Sequence, residues 1–352
     1  MNRSCRSLLL LSLIFVFVLV GSPQTGAQQE GDNGSRKLAA GVETTVPLAR
    51  EERETYAEHN IIELVPGLPG LQWQPKENEA SKTLHHIAQR VLFRRGIWEL
   101  QITFKPLRLI RVDIPQVNGK MQNQLIWYMV YRITNPGAHM TPVSVKQVVQ
   151  STKQDAKYTK KRFEIHRVNT PDQMLASIDE HRFVPTFLLR THKASSLAVD
   201  ETTVQYFDEV IPAARREIFT KERPACAFEE FYDTVQMGKD PIPVSTERQQ
   251  ISRYGVVMWR GIDPTVDYLT MQIMGLTNAY LWADPQGGFK PGDVAGNGRR
   301  FVYKTLQLNF YRPGDEFDAR EEEIKLGVKG HPEWVWLYRP NPFTYKPARP
   351  VK

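Results

Sequence analysis

Cysteine is all but missing from this chain: Cys5 and Cys226 are the two in 352 residues. With so few thiols, a disulfide framework is excluded and stability has to come from apolar cores. Several motifs of familiar chemistry are missing too. There is no Gly-x-Ser-x-Gly turn to strain a serine nucleophile. Nor is there a His-Glu-x-x-His pair of zinc ligands or a Gly-x-x-x-x-Gly-Lys loop for nucleotide phosphates. These absences speak against serine-hydrolase, zinc-protease and nucleotide-hydrolysing functions. The histidines are scattered, and the adjacent pair His85-His86 would point about 100° apart on a helix. No metal site and no cofactor are expected.

Long apolar runs are scarce. The one that stands out, Leu8 to Val20, is 13 residues long, whereas a helix needs about 20 to cross the hydrocarbon of a bilayer. Arg3 and Arg6 precede it, and Gly21-Ser22-Pro23-Gln24-Thr25-Gly26-Ala27 follows. A basic start, a short apolar middle and a small-residue end form the pattern of a secretory signal, here residues 1–27 with the cut after Ala27. The expectation is an exported protein: periplasmic, associated with the cell envelope, or secreted. It would touch a membrane only if that signal were left uncut. Cys5 would leave with the signal, and Cys226, in Pro224-Ala-Cys-Ala-Phe228, reads as a buried, unreactive thiol.

The formal charge is +7, and loss of Arg3 and Arg6 leaves 44 basic against 39 acidic residues, or +5. So mild a charge on an exported chain argues against nucleic acid and leaves polysaccharide or an envelope protein as partners. The densest basic stretch, Lys153 to Arg162, reads as a solvated loop or a lysine-protected edge strand.

Residues 28–80 are polar and broken by Pro66-Gly-Leu-Pro-Gly70, a flexible or irregular segment. Leu84, Ile87, Val91 and Leu92 share one helical face, predicting a helix over 81–95 between Ser81 and Gly96. From Ile97 the period becomes two, and strands are expected at 97–104, 107–114, 125–134, 143–149 and 183–190, with an Asn118-Gly119 turn. Leu125 to Thr134 is apolar on both alternating faces, which places it centrally in a sheet. Pro212 to Lys221 reads as a short helix opened by proline. Strands return at 254–259, 268–274, 301–310, 322–328 and 333–338. In 301–310, Leu306, Leu308 and Phe310 point one way, and Thr305, Gln307 and Asn309 the other.

Short strands punctuated by Gly, Pro and Asn argue for sandwiches. The expected fold is mainly β, with two immunoglobulin-like β-sandwich domains: 81–211 with its leading helix and 245–340, joined by a helical connector at 212–244. A proline-rich tail, 341–352, closes the chain. Four segments, Trp127 to Asn135, Tyr206 to Pro212, Gly275 to Tyr280 and Leu306 to Asp315, resemble a group of exported proteins of unknown function from planctomycete bacteria, over roughly residues 95–340. The resemblance implies an envelope or secreted location and brings no activity or cofactor.

The segment with most to offer a ligand is Tyr280 to Arg300. Within it, the glycines and prolines of the seventeen residues Asp284 to Arg300 exclude regular structure, and loops of that length in compact domains usually serve a function. Tyr280, Trp282 and Phe289 would present flat rings near Arg299 and Arg300, as a carbohydrate-binding loop does. Acids beside it, Asp263, Asp267 and Asp284, would be needed for hydrolysis, but Asp263 before Pro264 is better read as a turn cap. Asp315 to Glu323 is acidic but lacks the spacing of a calcium loop. No catalytic residue is assigned. The leading expectation is a non-enzymatic structural or binding protein, and the alternative is a carbohydrate-binding or carbohydrate-hydrolysing one using the 280–300 loop.

Overall fold

The computed structural model describes residues 36–39, 41–59, 91–137, 139–150, 157–168, 180–246, 248–283, 300–312 and 324–343. The expected signal at 1–27, the start of the expected helix at 81–90 and most of the 280–300 loop lie outside them.

The strand Met121–Thr134 organises the molecule. It turns back from Arg108–Pro115 at Asn118-Gly119, where Gly119 takes a φ of 76° that a side chain would resist. Both of its faces are apolar, so both need cover. On one, Trp127, Met129, Tyr131 and Ile133 enter the main core. On the other, Ile126, Tyr128 and Val130 meet Ile211, Ala214, Ile218 and Phe231. The helix Pro212–Glu222 and the turns after it therefore act as a covering layer rather than as a linker between domains.

Two sheets share the main core, so the protein is mainly β, as its patterning suggests. The smaller sheet runs, in order, Phe231–Tyr232, Ser252–Arg260, Met121–Thr134, Gln101–Phe104 and Thr44–Thr45, with Arg108–Pro115 also paired to the long strand. The larger runs Arg36–Lys37, Lys325–Leu326, Arg300–Tyr311, Tyr268–Met274, Thr186–His192 and Val204–Phe207. Tyr280–Ala283 and Trp334–Arg339 also pair with Arg300–Tyr311.

The two halves of the chain exchange strands. Ser252–Arg260 pairs with Met121–Thr134, and Thr186–His192 pairs with Tyr268–Met274. One core cluster runs from Leu38 to Leu326, and Asn33–Lys352 is one compact unit. The sequence division into sandwiches at 81–211 and 245–340 thus separates strands that lie side by side. Patterning marks which residues face a core but says nothing about whose core it is.

The N-terminal region departs from expectation as well. Within 28–80, Arg36–Lys37 and Thr44–Thr45 add a strand to each sheet, and Val46 is buried. Val91–Arg94 is a strand paired with Tyr56–His59, not the end of a helix. Val, Leu and Phe in succession favour the extended state once a partner strand is present.

Candidate functional site

Tyr280–Ala283 and Arg300–Tyr311 form the two arms of a hairpin, in which Tyr280 pairs with Tyr303 and Trp282 with Phe301. Directly paired residues, and residues two apart on a strand, share a face. The register therefore gathers Tyr280, Trp282, Phe301 and Tyr303 on one side. This side is the outer face of the larger sheet, opposite Leu306, Leu308 and Phe310 in the core. The rings are close: Tyr280 lies 5.9 Å from Phe301 and 6.4 Å from Tyr303. Phe301 and Tyr303 are 41% and 39% exposed, far more than the two strands' core residues.

Two of the five residues picked from the sequence, Tyr280 and Trp282, thus belong to one aromatic surface. Arg300 pairs with Ala283, one step out of phase, and so falls on the other face of the hairpin. Phe289 and Arg299 lie outside the described residues. Phe301 and Tyr303 were missed, yet the alternation read for Thr305, Gln307 and Asn309 reaches them when carried two and four residues back.

A buried ionic cluster fastens this hairpin to the N-terminal segment. The Arg95 guanidinium stacks 3.8 Å over the Tyr280 ring and donates to the Tyr280 carbonyl. Its Nε donates to the Glu54 carbonyl at 2.7 Å. The Glu54 carboxylate, fully buried, accepts from Tyr338 Oη at 2.6 Å and pairs with Lys304 Nζ at 2.6 Å, while Lys304 also donates to the Ala49 carbonyl. Nearby, Glu99 accepts from the Ala49 amide at 2.9 Å through one oxygen, and its other oxygen is buried with no partner among the described residues. Burial, with only partial relief from that bond, pushes the Glu99 carboxyl up. Burial and the Glu54 carboxylate push the Tyr338 phenol well up. Glu54, Glu99 and Lys304 are buried, so the chemistry of this cluster is that of a structural clamp.

Beyond the aromatics the outer face becomes polar. Gln272 Nε2 donates to Gln307 Oε1 at 3.1 Å, Gln307 Nε2 to Asn309 Oδ1 at 2.9 Å, and Asn309 Nδ2 to the Pro332 carbonyl at 2.7 Å. Tyr268 and Tyr311 stack at 5.4 Å at the far end. Two arginines share the face: Arg190, in register with Thr270 and through it Asn309, and Arg339, in register with Tyr303. The Nε atoms of both are buried, with no hydrogen-bond partner among the described residues. Burial first, then the charge of Arg339, holds the Arg190 guanidinium below the usual arginine range. After Arg339 the chain crosses this face, because Phe343 stacks at 5.3 Å on Phe207 of the strand Val204–Phe207, at the opposite edge.

The remaining sequence candidates are placed as follows. Asp263 accepts from the Thr265 amide at 2.9 Å and its hydroxyl at 2.7 Å, a turn cap that lowers its pKa. Asp284 and Asp315–Glu323 lie outside the described residues, and among the described residues no three metal-ligating side chains gather. His192 is buried between the Thr270 hydroxyl, at 2.9 Å, and the Ala198 carbonyl, at 3.1 Å, and burial lowers its pKa. Cys226 is half-buried, its thiol pushed up to about 11 by burial and then by Glu230. Of the basic stretch, residues 157–162 belong to the strand Lys157–Val168, paired with His139–Gln150, and 153–156 lie outside the described residues.

Compared with known proteins, the chain finds no match among family models, curated proteins or solved structures.

Proposed function

We propose that this is an exported, non-enzymatic binding protein of the cell envelope or extracellular space, and that it holds saccharide chains on the outer face of its larger sheet. The observation that supports this reading is the co-facial set Tyr280, Trp282, Phe301 and Tyr303, with two rings substantially open to solvent. Flat aromatic faces open to solvent suit the apolar face of a sugar ring. The segment 1–27 is its export signal, and its two sheets make a β-sandwich. Hydrolysis is the less favoured reading, because Asp263 is committed to Thr265 and Glu54 and Glu99 are sealed inside.

Affinity electrophoresis of the mature chain through gels containing soluble polysaccharides tests the reading. Phe301→Ala and Tyr303→Ala should each weaken retardation about fivefold, taking about 1 kcal/mol per ring contact. The melting temperature should hold, since both rings are partly exposed. Retardation equal to that of the unaltered chain in both variants would remove this face from consideration.

A further inference from the structure

The larger sheet carries a lysine where its pattern calls for an apolar residue. Lys304 comes two residues before Leu306 and so joins Leu306, Leu308 and Phe310 on the core side of Arg300–Tyr311. Its amine, on a side chain 1% exposed, meets the fully buried Glu54 carboxylate at 2.6 Å. By comparison, Lys105 stands 3.4 Å from Glu222, which it shares with Arg108. Tyr338, in register with Lys304, donates to the same Glu54 oxygen, Oε1, at 2.6 Å. The second oxygen, Oε2, accepts from the Glu51 amide at 3.0 Å. Trp336 packs beside the amine, its ring centroid 5.4 Å from Nζ. Withdrawing two charges from water costs about as much as their attraction returns, so stability alone does not account for an ion pair on a core stripe. The arrangement does suit a condensation. A nucleophile touches a carboxyl group, an acid bonds the oxygen that must leave, and an amide N–H bonds the oxygen that must carry charge.

We propose that Lys304 and Glu54 condense into an isopeptide bond, a covalent staple between the turn Glu52–Thr55 and the strand Arg300–Tyr311. The Lys304 ammonium passes one proton to Oε1, and the freed amine attacks Cδ. The Nζ–Cδ bond forms while negative charge collects on Oε2, against the Glu51 amide. Oε1 takes a second proton from the nitrogen, relayed through the Tyr338 hydroxyl, and leaves as water as the Cδ–Oε1 bond breaks. One hydrogen stays on the new amide nitrogen. Nothing is oxidised or reduced, and no co-reactant is needed. Cys226 is unpaired, so the staple supplies a covalent tie that a disulfide gives other exported proteins. The bond is independent of any ligand on the outer face.

Mass spectrometry of the folded mature chain tests this. The intact mass should fall one water below the value its sequence requires, and a digest should contain a branched peptide joining Glu54 to Lys304. Chain collected in urea without ever folding should carry the full mass, as should Glu54→Ala and Lys304→Met. Tyr338→Phe removes the acid and should slow linkage about a hundredfold, leaving full-mass chain that converts with time. Complete linkage of that variant at first isolation would overturn the role of Tyr338. Full mass in the unaltered folded chain, or a missing water mapped to any other pair of residues, overturns the staple itself, whether or not the variants fold.

Discussion

Glu222 is the residue whose loss should be felt most. Its side chain, 2% exposed, sits at the end of the covering helix and accepts from three donors. These are Arg108 at 2.8 Å, the Tyr128 hydroxyl at 2.7 Å and Lys105 at 3.4 Å. Lys105 and Arg108 are themselves only 10% and 14% exposed. Glu222→Gln keeps the volume and removes a negative charge that both cations face. Removing one partner of a buried pair costs about 3–5 kcal/mol. Lys105 retains the residue-222 carbonyl at 2.7 Å, which places the cost near the low end, at about 3 kcal/mol. For a unit of this size, about 2 °C of melting temperature per kcal/mol gives a drop of roughly 6 °C. Tyr128→Phe deletes one hydrogen bond to the carboxylate and should cost about 1.5 kcal/mol. The double variant should cost less than the sum, because each single variant already removes the charged bond between Tyr128 and Glu222. Urea melts of the three variants read this directly. A Glu222→Gln variant within 1 kcal/mol of the parent would refute the reasoning and leave the helix held by Ile211, Ala214 and Ile218 alone.

Three further outcomes are expected. Glu99 titrates above its unfolded value because burial disfavours its charge, so its stability contribution is full below the unfolded value and is lost as pH rises through the folded one. Glu99→Gln should therefore raise stability by about 1 kcal/mol at pH 8 and change little at pH 4, as measured by urea melts at both; equal effects at the two would sink the account. Gly275 holds a φ of 93°, and a Cβ there would collide with the Val184 carbonyl oxygen, so Gly275→Ala should lower stability by about 2–4 kcal/mol by calorimetry. The Cys226 thiol, pushed up to about 11, should react with iodoacetamide at pH 8 about a hundredfold more slowly than in the urea-unfolded chain, and equal rates would show that the site is open.

Much of the secondary structure is legible in local pattern. Leu125 to Thr134 alternates two apolar faces and does lie centrally, and Asn118-Gly119 turns where it should. Pro212 opens a helix that ends at Glu222, one residue beyond the predicted Lys221. The failures come where one segment's state depends on a distant partner. Val91 and Leu92 fit a helical stripe with Leu84 and Ile87 as well as they fit a strand, and Tyr56–His59, with little strand character of its own, decides the matter by pairing. Thr44–Thr45 is too short to show any period, yet it extends the smaller sheet beside Gln101–Phe104. The exchange of strands between halves leaves no local trace at all. Trp127 and Trp259, paired in register and fully buried, would look the same in two separate cores as in one.

The candidate site was half legible for the same reason. Aromatic rings close in sequence, Tyr280 and Trp282, declare themselves, and strand alternation is enough to add Phe301 and Tyr303. Arg190 and Arg339 are 149 residues apart and, read singly, are ordinary charges in ordinary strands. Only the order of strands across the larger sheet turns them to one face. The amides there satisfy one another down to the Pro332 carbonyl, and His192 is satisfied by Thr270 and Ala198. So closed a set of bonds forms only where these strands meet in this order, and no single segment announces it.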